Sequence, residues 1–110
     1  MRAVVTGAAG FVGSRLALAL SEDNWGVLAV DRRPQPEILS EAGILYKRFD
    51  LREPDELLKA VSECDVVFHL AASRSVPLSV KDPLSSISNN VMSTVNVLES
   101  ARLAGVSKVV

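Results

Sequence analysis

The chain has 110 residues, of which 48% are apolar and 23% charged, and its formal net charge is −1. The length fits a single domain, residues 1–110, and the apolar content excludes an intrinsically disordered chain. The near-zero charge gives no basic field for nucleic acid or an anionic membrane, so we expect neither partner. No apolar run approaches the ~20 residues that span a bilayer.

Cysteine and histidine occur once each, as Cys64 and His69. One cysteine cannot form a disulfide within the chain, and zinc sites with four cysteines or two histidines are excluded. We therefore expect no metal site. Residues 1–7 lack the apolar segment of a secretion signal, which makes the cytosol the expected compartment.

Short apolar runs alternate with helical patterns along the chain. The patterns predict strands at residues 3–5, 27–30, 44–49, 66–70 and 106–110, and helices at 14–20, 37–41, 55–62 and 83–104. The strands are almost continuously apolar, as expected of strands buried on both faces. The alternation predicts an α/β fold, a doubly wound, Rossmann-like parallel sheet in the order 3-2-1-4-5 that is truncated at its fifth strand.

Two of the predicted helices carry an apolar side. In the helix at 55–62, Leu57, Leu58 and Val61 should face inward. The long helix has apolar residues at three- and four-residue steps, which predicts a core-facing stripe of Leu84, Ile87, Val91, Val95, Leu98 and Ala101. Because Met92, Val97 and Leu103 lie off this stripe, we expect the long helix to be packed on two sides.

Three glycines, Gly7, Gly10 and Gly13, lie between the first predicted strand and the first helix, in the spacing G-x-x-G-x-x-G. Glycines in this place permit a tight turn, a close approach to a pyrophosphate and close packing of the helix on the sheet. The free amides at the start of the helix then favour an anion. The pattern predicts a dinucleotide-binding turn, with a purely structural glycine turn as the alternative.

Asp31 ends the second predicted strand, 18 residues after Gly13. A carboxylate at this place accepts hydrogen bonds from the adenosine ribose and repels a 2′-phosphate, which favours NAD over NADP. Arg32 and Arg33 follow directly, and an arginine can accommodate that phosphate, so NADP stays open as the less favoured cofactor.

Asp50 and Leu51 follow the third predicted strand and should lie at the same edge of the sheet. The Asp50 carboxylate can accept a hydrogen bond from the adenine amino group. It can equally cap the helix that begins near Pro54, and the residues alone leave both roles open.

The segment Thr6–Gly13, with the sequence T-G-A-A-G-F-V-G, resembles the cofactor fingerprint of the NAD-dependent epimerase/dehydratase family, the extended short-chain dehydrogenase/reductases. Further segments resemble the family in the same order along essentially the whole chain. They are Asp50-Leu51, His69–Ala72, Ser75-Val76, Ser79, Asp82-Pro83, Asn90-Val91 and Leu98–Arg102.

The resemblance implies backbone contacts from Phe11 and Val12 to the pyrophosphate, and a cofactor wall formed by residues 70–72. It also implies that Asn90 helps to hold water and protons near the active site, whereas His69 is expected to be a hydrogen-bonded structural residue. The full set of expected cofactor-binding residues is Gly7, Gly10, Phe11, Val12, Gly13, Asp31, Arg32, Asp50, Leu51, Leu70, Ala71, Ala72 and Asn90.

The tyrosine–lysine pair that the family uses in catalysis does not occur in the chain. The family uses a tyrosine four residues before a lysine, together with a serine or threonine just after the fifth strand, whereas the only tyrosine here is Tyr46, with Asp50 four residues later. We therefore expect the cofactor-binding half of a longer enzyme, inactive by itself. A degenerate relative is the alternative.

The resemblance implies an NAD-dependent epimerase, dehydratase or dehydrogenase acting on a nucleotide-activated or related sugar, and a homodimer formed through the helix at 83–104. Two alternatives stay open. One is a non-catalytic, dinucleotide-binding regulatory module, and the other is a family reductase acting on a steroid or an aldehyde.

Overall fold

A computed structural model describes residues 1–71 and 83–110, with the side chains of 83 and 85–87 left out. The strands are β1 (Arg2–Thr6), β2 (Gly26–Asp31), β3 (Leu45–Arg48), β4 (Val66–His69) and β5 (Lys108–Val109). The helices are α1 (Phe11–Glu22), α2 (Glu37–Glu41), α3 (Pro54–Val61) and α4 (Pro83–Ala104). The predicted site residue Ala72 and the motif residues Ser75, Val76, Ser79 and Asp82 lie outside the described residues.

Across residues 1–71 and 83–110, all strand pairs are parallel, and the sheet order is β3-β2-β1-β4-β5. This confirms the doubly wound α/β fold and its predicted order. In register, Thr6 of β1 lies between Val30 of β2 and His69 of β4. The carboxyl ends of three neighbouring strands therefore meet at one edge, which is where ligands bind in open parallel sheets.

Each face of the sheet has its own apolar core. On one face, Val4, Val30 and Val67 pack with α3 and the C-terminal half of α4. On the other face, Val5 and Ala29 pack with α1 and α2. Consecutive residues of β1, β2 and β4 thus enter opposite cores, which explains why these strands are mostly apolar in the sequence. The edge strand β3, with the sequence L-Y-K-R, has no buried residue and does not follow the pattern.

Element existence and order agree with the sequence, and the bounds differ by a few residues. In α3, Pro54 occupies the first turn, as expected of a proline that needs no intrahelical amide partner. Leu57 and Val61 are fully buried, but the prediction for Leu58 is wrong, because its side chain is 37% exposed. Leu58 lies next to the buried stripe rather than in it.

The predicted inward stripe of α4 is largely wrong. Four of its members are more than half exposed, namely Leu84, Val91, Val95 and Leu98. Of the remaining two, Ala101 is buried as predicted and the Ile87 side chain is not described. The helix instead buries Val97, Ser100 and Ala101, because small residues at this spacing allow α4 to approach α3 and the sheet closely.

Candidate functional site

The glycine turn connects β1 to α1 at the carboxyl edge of the sheet. Gly7 has φ +68°, and a Cβ there would lie 2.7 Å from the Ala71 amide nitrogen and 2.7 Å from the Leu70 carbonyl carbon. The left-handed backbone and the close approach to β4 both require glycine. The turn is therefore held directly against the chain that leaves β4.

Gly13 brings α1 onto the same turn. A Cβ at Gly13 would collide with the Gly7 carbonyl oxygen and would lie 2.8 Å from the Gly7 carbonyl carbon. Gly10 is the N-cap of α1, and a Cβ there would lie 3.3 Å from the Gly7 oxygen and 3.6 Å from the Arg33 guanidinium. These distances describe a concave turn that is lined by backbone atoms and has the Arg33 guanidinium on one side.

The start of α1 is exposed and positively polarised. Helix geometry gives the amides of Phe11, Val12 and Gly13 no carbonyl acceptor within the helix, and the helix dipole adds positive potential there. Phe11 is 73% and Val12 50% exposed, and Arg15 stacks on the Phe11 ring at 4.2 Å. The first turn of α1 carries no acidic side chain that would oppose an anion.

Asp31 lies at the end of β2 beside this turn, and its carboxylate is 5% exposed. It accepts hydrogen bonds from the Ala9 amide (2.9 Å), the Arg33 amide (2.9 Å) and the Arg33 side chain (3.1 Å). Burial opposes its ionisation, but the hydrogen bonds from Arg33 and Ala9 outweigh burial and hold the pKa of Asp31 below its ordinary value. Asp31 is therefore a charged acceptor that also shapes the turn.

Arg33 is fixed by two contacts. Its guanidinium forms the ion pair with Asp31, and its carbonyl accepts a 2.7 Å hydrogen bond from the Tyr46 hydroxyl. Burial and the charge of Asp31 raise the pKa of Tyr46 to about 12, so this phenol is neutral and donates. The neighbouring predicted residue Arg32 is exposed, and its carbonyl accepts a hydrogen bond from Arg48.

Asp50 and Leu51 lie at the end of β3, in different environments. Asp50 accepts from the Arg52 amide (2.9 Å) and forms an ion pair with the Arg52 guanidinium (2.8 Å), which lowers its pKa. The capping alternative is not observed, because Glu53 is the N-cap of α3. The Leu51 side chain is buried in the core, and its carbonyl accepts from Asn96 of α4.

Leu70 and Ala71 leave β4 beside Gly7, and both amides donate to the Thr6 hydroxyl, at 3.0 and 3.2 Å. Asn90 lies half-buried in α4. Thr6, Ala9 and Arg33 are not among the predicted site residues, although the structure places all three at the turn. The sequence signal that points to Thr6 is a hydroxyl residue directly before the first glycine.

A cleft of about 310 Å³ lies elsewhere, at the amino ends of the strands. Its lining includes Arg2, Gly26 and Leu45, which begin β1, β2 and β3. Because ligands of open parallel sheets bind at the carboxyl ends, this cleft is separate from the candidate site. Within residues 1–71 and 83–110, no group of His, Cys, Asp and Glu side chains is arranged to hold a metal ion.

The sequence matches the NAD dependent epimerase/dehydratase family over residues 3–110. The chain belongs to this family. It is 43% identical to a UDP-glucose 4-epimerase of Mycolicibacterium smegmatis, over all of this chain and 37% of that protein. It is 36% identical to a 2-alkyl-3-oxoalkanoate reductase of Stenotrophomonas maltophilia, over all of this chain and 32% of that protein.

Solved structures agree with the family assignment. The fold matches the UDP-glucose 4-epimerase of Thermus thermophilus, solved in complex with NAD, with a TM-score of 0.85 and 34% identity. That match covers 99% of this chain and 36% of the epimerase. This epimerase/dehydratase-family chain thus spans about a third of the length of these three relatives. No helix of its described residues is long and apolar enough to cross a membrane.

Proposed function

We propose that the chain forms the NAD-binding part of an enzyme that epimerises, dehydrates or oxidises a nucleotide-activated or related sugar. The observation that carries this proposal is the packing of Gly7 and Gly13, which sets the free amides of α1 beside the charged Asp31 carboxylate. A pyrophosphate fits the amides, and the Asp31 carboxylate is placed to accept from a ribose diol in competition with Ala9 and Arg33, which already donate to it. The resemblance to NAD-bound UDP-glucose 4-epimerase supports the same interpretation.

The proposed cofactor contacts follow the strand ends. The turn and the start of α1 bind the pyrophosphate, the ends of β2 and β3 bind adenosine, and the segment after β4 lines the ribose next to nicotinamide. The proposed residues are Gly7, Gly10, Phe11, Val12, Gly13, Asp31, Arg32, Asp50, Leu51, Leu70, Ala71, Ala72 and Asn90.

Cofactor preference is proposed to be NAD rather than NADP. A free arginine beside the ribose accommodates a 2′-phosphate, but the charge of Arg33 is already neutralised by Asp31 at 3.1 Å. A 2′-phosphate would have to compete with the Asp31 carboxylate for Arg33 and would lie beside that negative charge, whereas a 2′-hydroxyl is not repelled by it. Asp31→Asn removes the negative charge and releases Arg33, so it should weaken NAD and strengthen NADP.

Calorimetric titration with NAD and NADP tests this proposal. We expect the protein to bind NAD more tightly, and Asp31→Asn to weaken NAD by about tenfold or more, as for a charged hydrogen bond. Asp23→Asn, an exposed acid at the other end of α1, is the matched control and should leave both affinities unchanged. Tighter binding of NADP by the unmodified protein would overturn the assignment.

The chemistry of the whole enzyme is proposed by similarity. NAD, when bound, accepts and returns a hydride, and this part of the protein binds and orients it. Proton transfer is assigned to residues outside the chain, because Tyr46 donates to a carbonyl and its pKa of about 12 keeps it protonated. We therefore expect no turnover of UDP-glucose by the chain alone, measured by coupled assay for UDP-galactose.

A reductase is the second candidate. It is favoured by the 36% identity to 2-alkyl-3-oxoalkanoate reductase, whose name indicates a substrate that is not a sugar. Assay of the full gene product with UDP-sugars and with a 3-oxoalkanoate distinguishes the two candidates. Turnover of the 3-oxoalkanoate without any UDP-sugar activity would replace the first proposal.

Homodimerisation is proposed through the exposed apolar side of α4. Leu84, Val91, Val95 and Leu98 line one face of the helix, and each is more than half exposed. An apolar stripe of this length fits an identical stripe of a second copy, as in a helix-pairing interface. Light scattering should show a dimer that Val95→Glu converts to a monomer; a monomeric unmodified protein would contradict the proposal.

A further inference from the structure

The single histidine joins three elements through hydrogen bonds. His69 Nδ1, at the end of β4, lies 2.8 Å from the Thr6 hydroxyl of β1. Its other ring nitrogen, Nε2, lies 3.1 Å from the Thr94 hydroxyl of α4. The chain of contacts crosses from the residue before the glycine turn to the exposed side of α4.

Counting donors assigns the direction of each bond. The fully buried Thr6 oxygen already accepts from the Leu70 and Ala71 amides, so its one hydroxyl proton is left to donate to His69 Nδ1. Nδ1 is then an acceptor and carries no proton. The ring proton lies on Nε2 and is donated to Thr94.

This arrangement requires an uncharged ring. Burial lowers the pKa of His69, which agrees with the neutral form at physiological pH. The tautomer with the proton on Nε2 is therefore the one that satisfies Thr6, Leu70 and Ala71 together.

The N-terminal half of α4 depends on such polar ties. None of its described side chains from Leu84 to Asn96 is buried, and the helix enters the core only from Val97 onward. Hydrogen bonds instead fasten this half, from Arg52 to Asn89 (3.3 Å), from Asn96 to the Leu51 carbonyl (3.0 Å) and from His69 to Thr94.

We propose that His69 is a positioning residue that, through Thr6 and Thr94, fixes the Leu70–Ala71 backbone against Gly7 and ties it to α4. The part of this inference that concerns cofactor rests on the proposed NAD site. The Leu70–Ala71 backbone forms the proposed wall for the nicotinamide half, whereas the adenosine half lies at Asp31 and Asp50. Loosening the His69 contacts should thus weaken binding of the nicotinamide half more than binding of the adenosine half.

Thr94→Val is the direct test, because it removes the exposed hydroxyl and keeps the side-chain shape. We expect it to weaken NAD about three- to tenfold, the range of one lost hydrogen bond, and to weaken ADP clearly less. Thr94→Ser keeps the hydroxyl and should restore NAD affinity. Ser88→Ala, at another exposed hydroxyl of α4, is the control. Equal losses of NAD and ADP, or no loss, would overturn the positioning role.

A second measurement does not depend on cofactor. ¹⁵N NMR of the only histidine of the chain should show the proton on Nε2, and the Leu70 and Ala71 amides should exchange about three- to tenfold faster in Thr94→Val than in Ser88→Ala. A ring protonated on Nδ1, or unchanged exchange, would contradict the inference. Failure of the unmodified protein to bind NAD would refute the proposed function while leaving this measurement to decide the role of His69.

Discussion

The glycine turn and helix α4 differ in how tightly their sequences determine their structures. At the turn, Gly7 and Gly13 leave no room for a Cβ, and the Asp31 carboxylate has specific partners in Ala9 and Arg33. In α4, apolar residues lie on both the buried and the exposed sides, and of its described side chains only those in the C-terminal half enter the core. Where backbones pack this closely, only glycine fits. A helix with apolar residues on several sides can be turned about its own axis and still bury an apolar side, so its sequence does not determine which side faces the core.

The largest expected effect comes from filling the turn. Gly13→Ala places a methyl against the Gly7 carbonyl, so we expect the free energy of unfolding to fall by about 3 kcal/mol or more. Chemical denaturation measures the loss. Gly26→Ala is the control, because its Cβ would meet only the Arg2 side chain at 3.5 Å and should change stability by less than about 1 kcal/mol. Similar losses in both variants would remove the contrast with α4.

Two matched variants, at positions two residues apart, test which side of α4 faces the core. Val97→Ala deletes two methyl groups from a fully buried side chain and should cost about 2–3 kcal/mol. Val95→Ala changes a side chain that is 52% exposed and should cost less than about 0.5 kcal/mol, measured by denaturation under monomeric conditions. A larger loss of stability in Val95→Ala than in Val97→Ala would support the inward-facing stripe that the sequence predicts.

Tyr46→Phe tests the support of the turn from β3. Loss of the hydrogen bond to the Arg33 carbonyl should cost about 0.5–1.5 kcal/mol at neutral pH. Because the folded pKa of about 12 exceeds the unfolded value of 10, the tyrosine stabilises the fold below pH 10. This contribution is lost as the pH rises towards about 12, since the unfolded chain ionises first.

Alkaline denaturation profiles of the two proteins check this prediction. The Phe variant should lack the tyrosine-dependent fall in stability above pH 10. Identical alkaline slopes would show that the phenol is not the group responsible.

His69, which joins the two regions, gives the smallest expected effect. Its folded pKa lies below the ordinary 6.5, so its contribution to stability is complete above that pH and is lost as the pH falls through the folded value. His69→Gln should flatten the profile of unfolding free energy on the acid side. If the unfolding free energy of this variant falls as steeply at acid pH as that of the unmodified protein, carboxylates such as Asp31 cause the fall and His69 does not.

The order of strands and helices, the glycine turn and the place of Asp31 at a strand end are predictable from the amino-acid sequence. These features depend on local spacing, since buried parallel strands, helix breaks and tight turns each require particular residues within a few positions. The same reasoning placed Asp50 correctly but left its carboxylate open between adenine binding and capping. In the structure, Arg52 binds that carboxylate from two residues away.

Three features are visible only in the folded protein: the buried side of α4, the pairing of Arg33 with Asp31 beside Gly10, and the contacts of His69. Thr6 and His69 are 63 residues apart in sequence, and His69 and Thr94 are 25 apart. Which side of α4 is buried depends on the small residues Ser100 and Ala101, which fit closely against α3. The hydrophobicity pattern of the sequence does not reveal this fit. Such contacts depend on the distances between elements that are far apart in sequence. Local periodicity carries no information about these distances.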